Sequence, residues 1–483
     1  MLSLEDKTFD LFIGGEFTEA AGGQTAETTN PGTGEVIGHV AQAQPADVDE
    51  AVASAHATFE DEWGSMDPYK RGRALEDWAE ILWDRRDRIA KVETTDQGKT
   101  LREAQADVAF AIKTIEYYAG LTDKVQGEEI PVPGSRLNFT RKEPLGVTGH
   151  VSPWNYPFQL AVRSLAPALA AGNTAVLKPA SWTPLSSLAL AETASQALPD
   201  GALNVVPGRG SLAGDRLVEH PDVRALSFTG STDTGIQIGK KAMEKCVPAT
   251  LELGGKCPNV VFEDAELDKA TKGAIFAGYM NAGQMCWAGS RLLVQESIAD
   301  DVVDNLAHAL ENTPVGPGTD EASQMGPLVS EQRKQEVKEY IEIAESEGLD
   351  LVTGGGEPDD VPEDGHYLEQ TLFKDVPRDS QLAREEVFGP VVTVHTFEDE
   401  EEAVEIANDT EYGLYAYAYT SDMGRAMRLS EELEAGVVSI NESPITFPQS
   451  PFGGHKESGI GHEQGKEAIE HYTKQKTVFF KQP

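Results

Sequence analysis

The sequence predicts an α/β protein with a doubly wound, mostly parallel sheet, a second α/β unit and a small extended arm. Strand-like and helix-like segments alternate with few residues between them from residue 146 to 253, and a second alternation starts at Pro258. At 483 residues the chain is also too long for one ordinary core, so we expect two or three packed units.

Short apolar pieces separated by glycine pairs predict hairpins in the first 45 residues. Apolar residues at three- and four-residue spacing then predict helices over residues 45–59, 67–90 and 100–121. The next segments predict strands at 146–151, 174–177, 203–206, 225–228 and 249–253. Between them we predict helices at 158–171, 183–198, 212–220 and 232–245, the second with Thr183 as its N-cap and Pro184 in its first turn.

In such a sheet, ligands bind in the crevice beyond the carboxyl ends of the strands. The segments that follow the five predicted strands should therefore share one rim. They are residues 153–155, 178–181, 208–214, 229–231 and 252–255.

A second set of strands is predicted at residues 259–262, 292–295, 391–397, 415–420 and 436–440. Residues 124–141 and 475–480 are extended in character and could pair as an arm that reaches a neighbouring subunit of a homodimer or homotetramer. The predicted units are 1–123 with 144–254, then 255–445, and an arm and C-terminal segment of 124–143 with 446–483.

The chain carries 40 basic and 81 acidic residues, a net charge of −41, which disfavours nucleic acid and anionic membranes as partners. No apolar run reaches the ~20 residues that span a bilayer, and the start lacks the pattern of a signal peptide. Cys246, Cys257 and Cys286 are an odd number of cysteines in a large chain, which indicates free thiols. We therefore expect a cytoplasmic protein.

This acidity resembles that of proteins from halophiles, in which counterions screen the self-repulsion of a folded chain. We expect the melting temperature to rise when the salt is raised from dilute buffer to molar potassium chloride. A thermal melt that stays the same in both solutions would show an ordinary acidic surface instead.

Two residues carry candidate chemistry. Cys286 follows a predicted helix in a turn of small residues, where a thiol can be exposed, although a lone cysteine is more often a buried apolar residue. Glu252 lies between leucines at a strand end. Partial desolvation there would raise the pKa of its carboxyl group and suit it to accept a proton. His462-Glu463 has no second histidine four residues on, so no zinc site is predicted.

Almost the full chain resembles the aldehyde dehydrogenase family. The motifs that carry the resemblance stand in the family's order and spacing: Pro153-Trp154-Asn155-Tyr156-Pro157, Lys178-Pro179, Phe228-Thr229-Gly230-Ser231, Leu251 to Lys256, Gly283-Gln284-Met285-Cys286, Glu385 to Pro390 and Pro451-Phe452-Gly453-Gly454. Cys257 departs from the small or polar residue usual after Gly-Gly-Lys.

The resemblance implies that Cys286 attacks an aldehyde, that the Asn155 amide and the Cys286 backbone N–H hold the oxyanion, and that Glu252 activates the water that hydrolyses the thioester. It also implies a nicotinamide dinucleotide. Lys178 would bind the adenosine ribose, Gly230 and Ser231 the pyrophosphate, and Glu386 and Phe388 the nicotinamide ribose and ring. The other residues implied for the cofactor are Trp154, Gly210, Gly214 and Leu253.

Position 181 bears on the choice between NAD and NADP. Family members strict for NAD often have glutamate three residues after the lysine, where it repels a 2′-phosphate; Ser181 removes that repulsion, so we expect NADP to be accepted.

The substrate stays open at this point. Arg163 resembles the carboxylate clamp of succinate semialdehyde dehydrogenases, whereas the segment 163–169 also resembles benzaldehyde dehydrogenases; a general aliphatic aldehyde and a paired structural arginine are further alternatives. Phe158 and Trp287 could form walls of the pocket or simply pack.

Overall fold

The computed structural model describes residues 4 and 7–481. Its first part contains the following strands and helices in chain order: β1 (Thr8–Phe9), β2 (Leu11–Ile13), β3 (Glu16–Thr18), β4 (Thr25–Thr29), β5 (Val36–Ala41), α1 (Pro45–Thr58), α2 (Pro68–Gln97), α3 (Leu101–Ala119), β6 (Arg136–Pro144), β7 (Val147–Val151), α4 (Pro157–Ala171), β8 (Thr174–Lys178), α5 (Leu185–Ala194), β9 (Leu203–Val205), α6 (Asp215–Glu219), β10 (Val223–Thr229), α7 (Thr232–Glu244) and β11 (Ala249–Glu252).

The remaining strands and helices are β12 (Pro258–Val261), α8 (Leu267–Tyr279), β13 (Arg291–Gln295), α9 (Ala299–Glu311), α10 (Glu331–Ser346), β14 (Asp350–Thr353), β15 (Thr371–Lys374), α11 (Gln381–Arg384), β16 (Val391–Phe397), α12 (Glu400–Asn408), β17 (Tyr412–Gly413), β18 (Tyr415–Tyr419), α13 (Met423–Glu432), β19 (Val437–Ile440), β20 (His455–Lys456), β21 (Gly459–Ile460), α14 (Ala468–His471) and β22 (Thr473–Lys481).

The first sheet has the order β21-β11-β10-β7-β8-β9-β2-β3. Its five central strands are parallel, and antiparallel strands close both edges. One buried apolar cluster contains α2 to α5 and another contains α1, α6 and α7, with sheet residues in both. Helices therefore cover both faces, and the prediction of a doubly wound sheet is confirmed.

The second sheet has the order β14-β15-β16-β13-β12-β18-β19 and is parallel except between β14 and β15. The five strands predicted for this unit are present. β14 and β15 were not predicted, because β14 is a partly exposed edge strand without a buried apolar run. In the described part of the chain, no helix has the length and apolar character needed to cross a lipid bilayer.

The two extended segments pair with each other, as predicted: β6 and β22 form an antiparallel ribbon with Arg141 opposite Lys476. That the ribbon contacts another subunit stays a prediction. The C-terminal segment also does more than predicted, because β21 joins the edge of the first sheet beside β11.

Several predicted helix boundaries were wrong, among them the end of α5, which is Ala194 rather than residue 198. α5 begins at Leu185, because the Thr183 hydroxyl donates to the Trp154 carbonyl, 3.3 Å away, and does not cap the helix. α2 continues to Gln97, seven residues past its predicted end. Its last turn is polar but buried, and Asp96 there accepts hydrogen bonds from the Thr28 hydroxyl and the Leu185 N–H.

Candidate active site

The chain reaches Cys286 through a left-handed turn at the end of α8. Asn281, Ala282 and Gly283 have φ angles of 49°, 53° and 68°, a conformation that costs non-glycine residues of order 1 kcal/mol or more each. Asn281 is held on two sides: its N–H donates to Glu103, 2.8 Å away, and its side-chain amide donates to the Asn155 carbonyl, 2.9 Å away. These bonds fix the path of the chain into Cys286.

Two glycines allow the backbone to approach this turn closely. A β-carbon at Gly283 would lie 2.1 Å from the Gly389 carbonyl oxygen, and one at Gly255 would lie 2.1 Å from the carbonyl oxygen of Cys286. Any side chain at either position would push the backbone away. Gly255 therefore allows the end of the first sheet to meet Cys286, and Gly283 allows the turn to pack against Gly389 of the second unit.

Asn155 follows β7 at the rim of the first sheet and is buried. Its side-chain Nδ2 donates to the carbonyl of Gln284, 2.9 Å away. Gln284 is two residues before Cys286, so the amide of Asn155 and the thiol lie on the same wall. A buried, fixed N–H donor next to a thiol is suited to stabilise charge that develops on a carbonyl oxygen attacked there.

Glu252 ends β11 at the same rim, and only 2% of its surface is exposed. Neither of its carboxylate oxygens has a hydrogen-bond partner among the described residues. Burial raises the pKa of this carboxyl group well above its ordinary value, and the nearby Arg163 opposes the rise. Burial also raises the pKa of the Cys286 thiol, to about 12, again against Arg163.

A crevice beside β8 holds Lys178 and Ser181. The Lys178 ammonium group donates to the carbonyls of Pro179 at 2.6 Å and Gly208 at 3.2 Å, and the exposed Ser181 hydroxyl donates to Gly208 at 3.1 Å. Burial lowers the pKa of Lys178 to about 8. A β-carbon at Gly214 would lie 3.3 Å from the Lys178 side chain, so the small residue leaves room above the lysine. Gly210 begins the exposed turn that ends at Gly214.

The helix α7 begins at the same rim. Ser231 precedes it in an extended conformation, and its side chain makes no capping bond within the described chain. The Gly230 N–H donates to the Glu252 carbonyl, 3.0 Å away. Leu253 packs closely under Gly235, where a β-carbon would lie 2.2 Å from the leucine. The first N–H groups of this 13-residue helix can therefore receive an anion.

Glu386 and Phe388 complete the crevice from the second unit. The Glu386 carboxylate accepts a hydrogen bond from the Gly255 N–H, 2.9 Å away, and desolvation raises its pKa to about 7. Phe388 has a φ of 55°, and its ring meets the Trp154 ring edge-on at 5.2 Å. Both units thus contribute to one cleft.

A cavity of about 530 Å³ is lined by Trp287, the residue that follows Cys286. Apolar and aromatic side chains form much of its wall, among them Tyr156, Met280, Trp287, Phe110 and Ile445. Trp287 immediately follows the cysteine and packs against the rings of Tyr415 and Phe452.

The model of the aldehyde dehydrogenase family matches residues 17–478. The chain belongs to this family. It is 43% identical to hydroxyisobutyraldehyde dehydrogenase of Mycolicibacterium austroafricanum, over 97% of this chain and 93% of the other. It is 41% identical to an aldehyde dehydrogenase of Emericella nidulans, over 99% and 96%.

Solved structures of aldehyde dehydrogenases superpose closely on this chain. An NAD⁺ complex of the Bacillus cereus enzyme gives a TM-score of 0.97 at 40% identity, covering 99% of this chain and 97% of the other. Betaine aldehyde dehydrogenase of Staphylococcus aureus gives 0.96 at 38% identity, covering 99% and 95%. The family assignment and the fold predicted from the sequence are both confirmed.

Two predicted substrate residues of this aldehyde dehydrogenase lie elsewhere than expected. Arg163 is buried, forms an ion pair with Glu463, 300 residues away, and is not among the residues that line the cavity, so the alternative of a paired arginine describes it better than a substrate clamp. Phe158 is fully buried in the core between α2 and α5 and does not line the cavity. Trp287, by contrast, lines the cavity.

Sequence reasoning also missed residues that hold the site together. Asn281 and Glu103 fix the turn before Cys286, and Glu463 pairs with Arg163. Asn281 lies two residues before the motif Gly283-Gln284-Met285-Cys286, and asparagine tolerates left-handed backbone better than most residues; that signal could have identified it. Glu463 carried no comparable signal.

Proposed function

We propose that this chain oxidises an aldehyde to a carboxylic acid at Cys286, with Asn155 and Glu252 as its catalytic partners. The observation that carries the proposal is that Asn155 donates to the backbone two residues before Cys286, while the buried carboxylate of Glu252, at the same rim, accepts no hydrogen bond from the described residues. An amide donor, a thiol and a raised-pKa carboxylate are the three groups that acyl chemistry on a carbonyl needs.

The Cys286 thiol releases its proton to solvent, the resulting thiolate sulfur bonds to the carbonyl carbon, and the π electron pair of the carbonyl group moves to its oxygen, which takes the negative charge. The Asn155 amide and the Cys286 N–H donate to that oxygen. A bound nicotinamide dinucleotide supplies the acceptor for the hydride that leaves this carbon. Glu252 then takes a proton from water; the resulting hydroxide attacks the thioester, and the carbon–sulfur bond breaks to release the acid. Glu252 favours this hydrolysis over transfer to coenzyme A.

The residues of the crevice fit a dinucleotide. The buried ammonium group of Lys178 suits ribose hydroxyls, the free N–H groups that begin α7 suit a pyrophosphate, and the Glu386 carboxylate suits the second ribose. Gly254 leaves space at this end, where a β-carbon would lie 2.5 Å from Glu386. Two of the solved relatives are NAD⁺ complexes, which supports the same cofactor class here.

We expect NADP as well as NAD to support the reaction, because Ser181 is exposed beside Lys178 and carries no charge that would repel a 2′-phosphate. Ser181→Glu should shift the ratio of kcat/KM for the two cofactors toward NAD by about tenfold or more, since a carboxylate there accepts ribose hydroxyls and repels phosphate. Ser181→Gln is the matched control, because glutamine is similar in size to glutamate but carries no charge. An unchanged ratio in Ser181→Glu would refute the role of this position.

For the substrate we propose a semialdehyde whose carboxylate is held at the cavity wall rather than by Arg163. Arg102 and Lys272 line the cavity and are exposed, and neither forms an ion pair with another described residue. The lining carboxylates Glu103 and Asp107, by contrast, are bound to Asn281 and Lys99. Because aromatic side chains line the cavity, an aromatic aldehyde is the alternative substrate.

The test is a series of aldehydes that differ in charge, assayed with NAD and NADP in high salt by following the reduced cofactor. The names of two relatives add hydroxyisobutyraldehyde and betaine aldehyde to succinate semialdehyde and benzaldehyde. We expect the anionic semialdehyde to have a kcat/KM at least tenfold above that of the cationic betaine aldehyde. A preference for benzaldehyde would support the alternative, and no oxidation of any aldehyde would contradict the proposed function.

A further inference from the structure

The buried ion pair between Arg163 and Glu463 lies directly under the catalytic groups. The two side chains are 5% and 2% exposed, and the Ser227 hydroxyl donates to the second oxygen of Glu463, 2.9 Å away. Moving two charges out of water costs several kcal/mol for each ion, and a buried pair often adds no net stability. Its retention at this place calls for a role other than stability.

The sheet register places Glu463 on the same side of the sheet as Glu252. Ser227 on β10 lies opposite Thr250 on β11. Thr250 and Glu252 point to the same face, because alternate residues of a strand do, and they are about 7 Å apart along it. The carboxylate of Glu463 is hydrogen-bonded to Ser227. It therefore lies on the same face of the sheet as the carboxylate of Glu252, displaced from it by about two residues along the strand direction.

Arg163 extends from this pair toward Cys286. Its guanidinium lies over the ring of Phe452 with 4.9 Å to the ring centre, and the Phe452 ring packs at 5.7 Å on Trp287, the residue after the nucleophile. Phe452 and Glu463 exchange two backbone hydrogen bonds of 2.7 Å. The Glu463 carboxylate and the Phe452 ring, which both contact the guanidinium, therefore come from two directly paired backbone segments. One cation is thus held near both the base and the thiol, and it lowers the pKa of each.

The hydrogen bonding of this group is incomplete. The Nη2 of Arg163 is buried without a partner, as are both oxygens of Glu252, among the residues that the structure describes. A buried polar group left unpaired costs about 1–3 kcal/mol. Cys286 and Glu252 both become anionic during the reaction. The unpaired N–H of Arg163 is available to stabilise that negative charge.

We propose that Arg163 is a positioning residue for aldehyde oxidation: its charge and free N–H stabilise the anionic forms of Cys286 and Glu252, and Glu463 sets how much of that charge is available to them. The inference rests on the proposed function of Cys286 and Glu252. It assigns Arg163 to the reacting groups instead of to a substrate carboxylate.

The other charged and titratable groups that face Cys286 do not supply this charge. Glu386 and Glu252 are carboxylates and raise the pKa of the thiol, whereas Arg163 lowers it. Tyr156, Tyr417 and Cys257 also lie near the thiol, and all three are neutral while they hold their protons. Arg163 also lowers the pKa of Glu252, and Glu463 raises it.

The two partners of the pair should therefore act with opposite sign on the thiol. Without Arg163, the thiolate loses its cation. Without the negative charge of Glu463, the positive charge of Arg163 is no longer partly neutralised, so it lowers the pKa of Cys286 further. If the ion pair only held the fold together, removing either partner should change the reactivity of the thiol in the same direction.

The test measures how fast iodoacetamide alkylates Cys286 at a fixed pH of about 8.5 in the full-length enzyme without cofactor, read from the mass of the peptide that contains it. This readout requires no turnover, so it stays informative even if aldehyde oxidation is not the function. Activity of Cys286→Ala tests that function separately. Only the thiolate reacts, so the rate follows its fraction.

We expect Arg163→Gln to slow alkylation about tenfold, which corresponds to one unit of pKa, and Glu463→Gln to speed it several-fold. The double variant, in which no charge is left unpaired, should fall between them, and Arg163→Lys should restore part of the rate. Lys142→Gln, which removes the cation of an ion pair on the outside of the protein, is the matched control and should leave the rate unchanged.

The proposal is overturned if Arg163→Gln and Glu463→Gln change the rate in the same direction, or if neither changes it. Should Arg163→Gln fail to fold, the comparison of the double variant with Glu463→Gln decides: equal rates would show that Arg163 has no influence on the thiol.

Discussion

Cys286→Ala is expected to lose all aldehyde-dependent reduction of the cofactor. Without the sulfur no covalent bond forms to the carbonyl carbon, and the remaining donors cannot replace it. Alanine is close in volume to cysteine, and the thiol makes few contacts that a methyl group cannot, so the fold should stand.

The measurement is the initial rate of NADH or NADPH formation with the best aldehyde of the series, together with a thermal melt of the variant. Cys257→Ala is the matched control, because its sulfur lies 3.7 Å from the Cys286 carbonyl oxygen and yet has no chemical role in the mechanism. Activity of Cys286→Ala near that of the unaltered enzyme would end the proposed mechanism.

Glu252→Gln is expected to separate the two halves of the reaction. The amide has the shape of the carboxyl group but cannot take a proton from water, so steady turnover should fall by about 10² to 10⁴. Oxidation of the aldehyde precedes the step that needs the base. A rapid burst of about one equivalent of reduced cofactor for each active site should therefore remain.

The same carboxyl group sets the pH dependence of turnover. Burial raises the pKa of Glu252, and a base acts only when it is deprotonated. The rate of hydrolysis should rise as the pH passes upward through this raised pKa, and Glu252→Gln should lose that limb of the profile. Stopped-flow traces without a burst in the variant would instead assign Glu252 to the first half of the reaction.

The elements that sequence predicted well are those that local pattern determines. The central parallel strands are continuous buried runs between helices of regular periodicity, and most of their bounds agree within one or two residues. Cys286, Glu252 and Asn155 could be proposed from sequence because each lies in a short motif at the end of a strand or helix. That Asn155 and Glu252 share one rim follows from a general rule of parallel sheets, whereas the rule does not reach Cys286, which follows a helix of the second unit.

What sequence could not supply is the identity of distant partners. The sequence left open whether Arg163 is a substrate clamp or a paired arginine, because its partner is 300 residues further on. Phe158 and Trp287 are both aromatic residues near a motif, yet one is in the core and the other lines the cavity. The helix α4 is buried nearly all round, so its periodicity gave no sign of which face meets solvent.

The strand β21 has a consequence for the biogenesis of the enzyme. It is synthesised well after β11 and Cys286, and it flanks β11, where the Leu253 N–H donates to the Ser458 carbonyl at 2.9 Å. A nascent chain still attached to the ribosome has made its nucleophile long before it has made the wall around its base. A chain that stopped before β21 would therefore carry the thiol without the strand that flanks its base, and the reactive centre is complete only after β21 has been made.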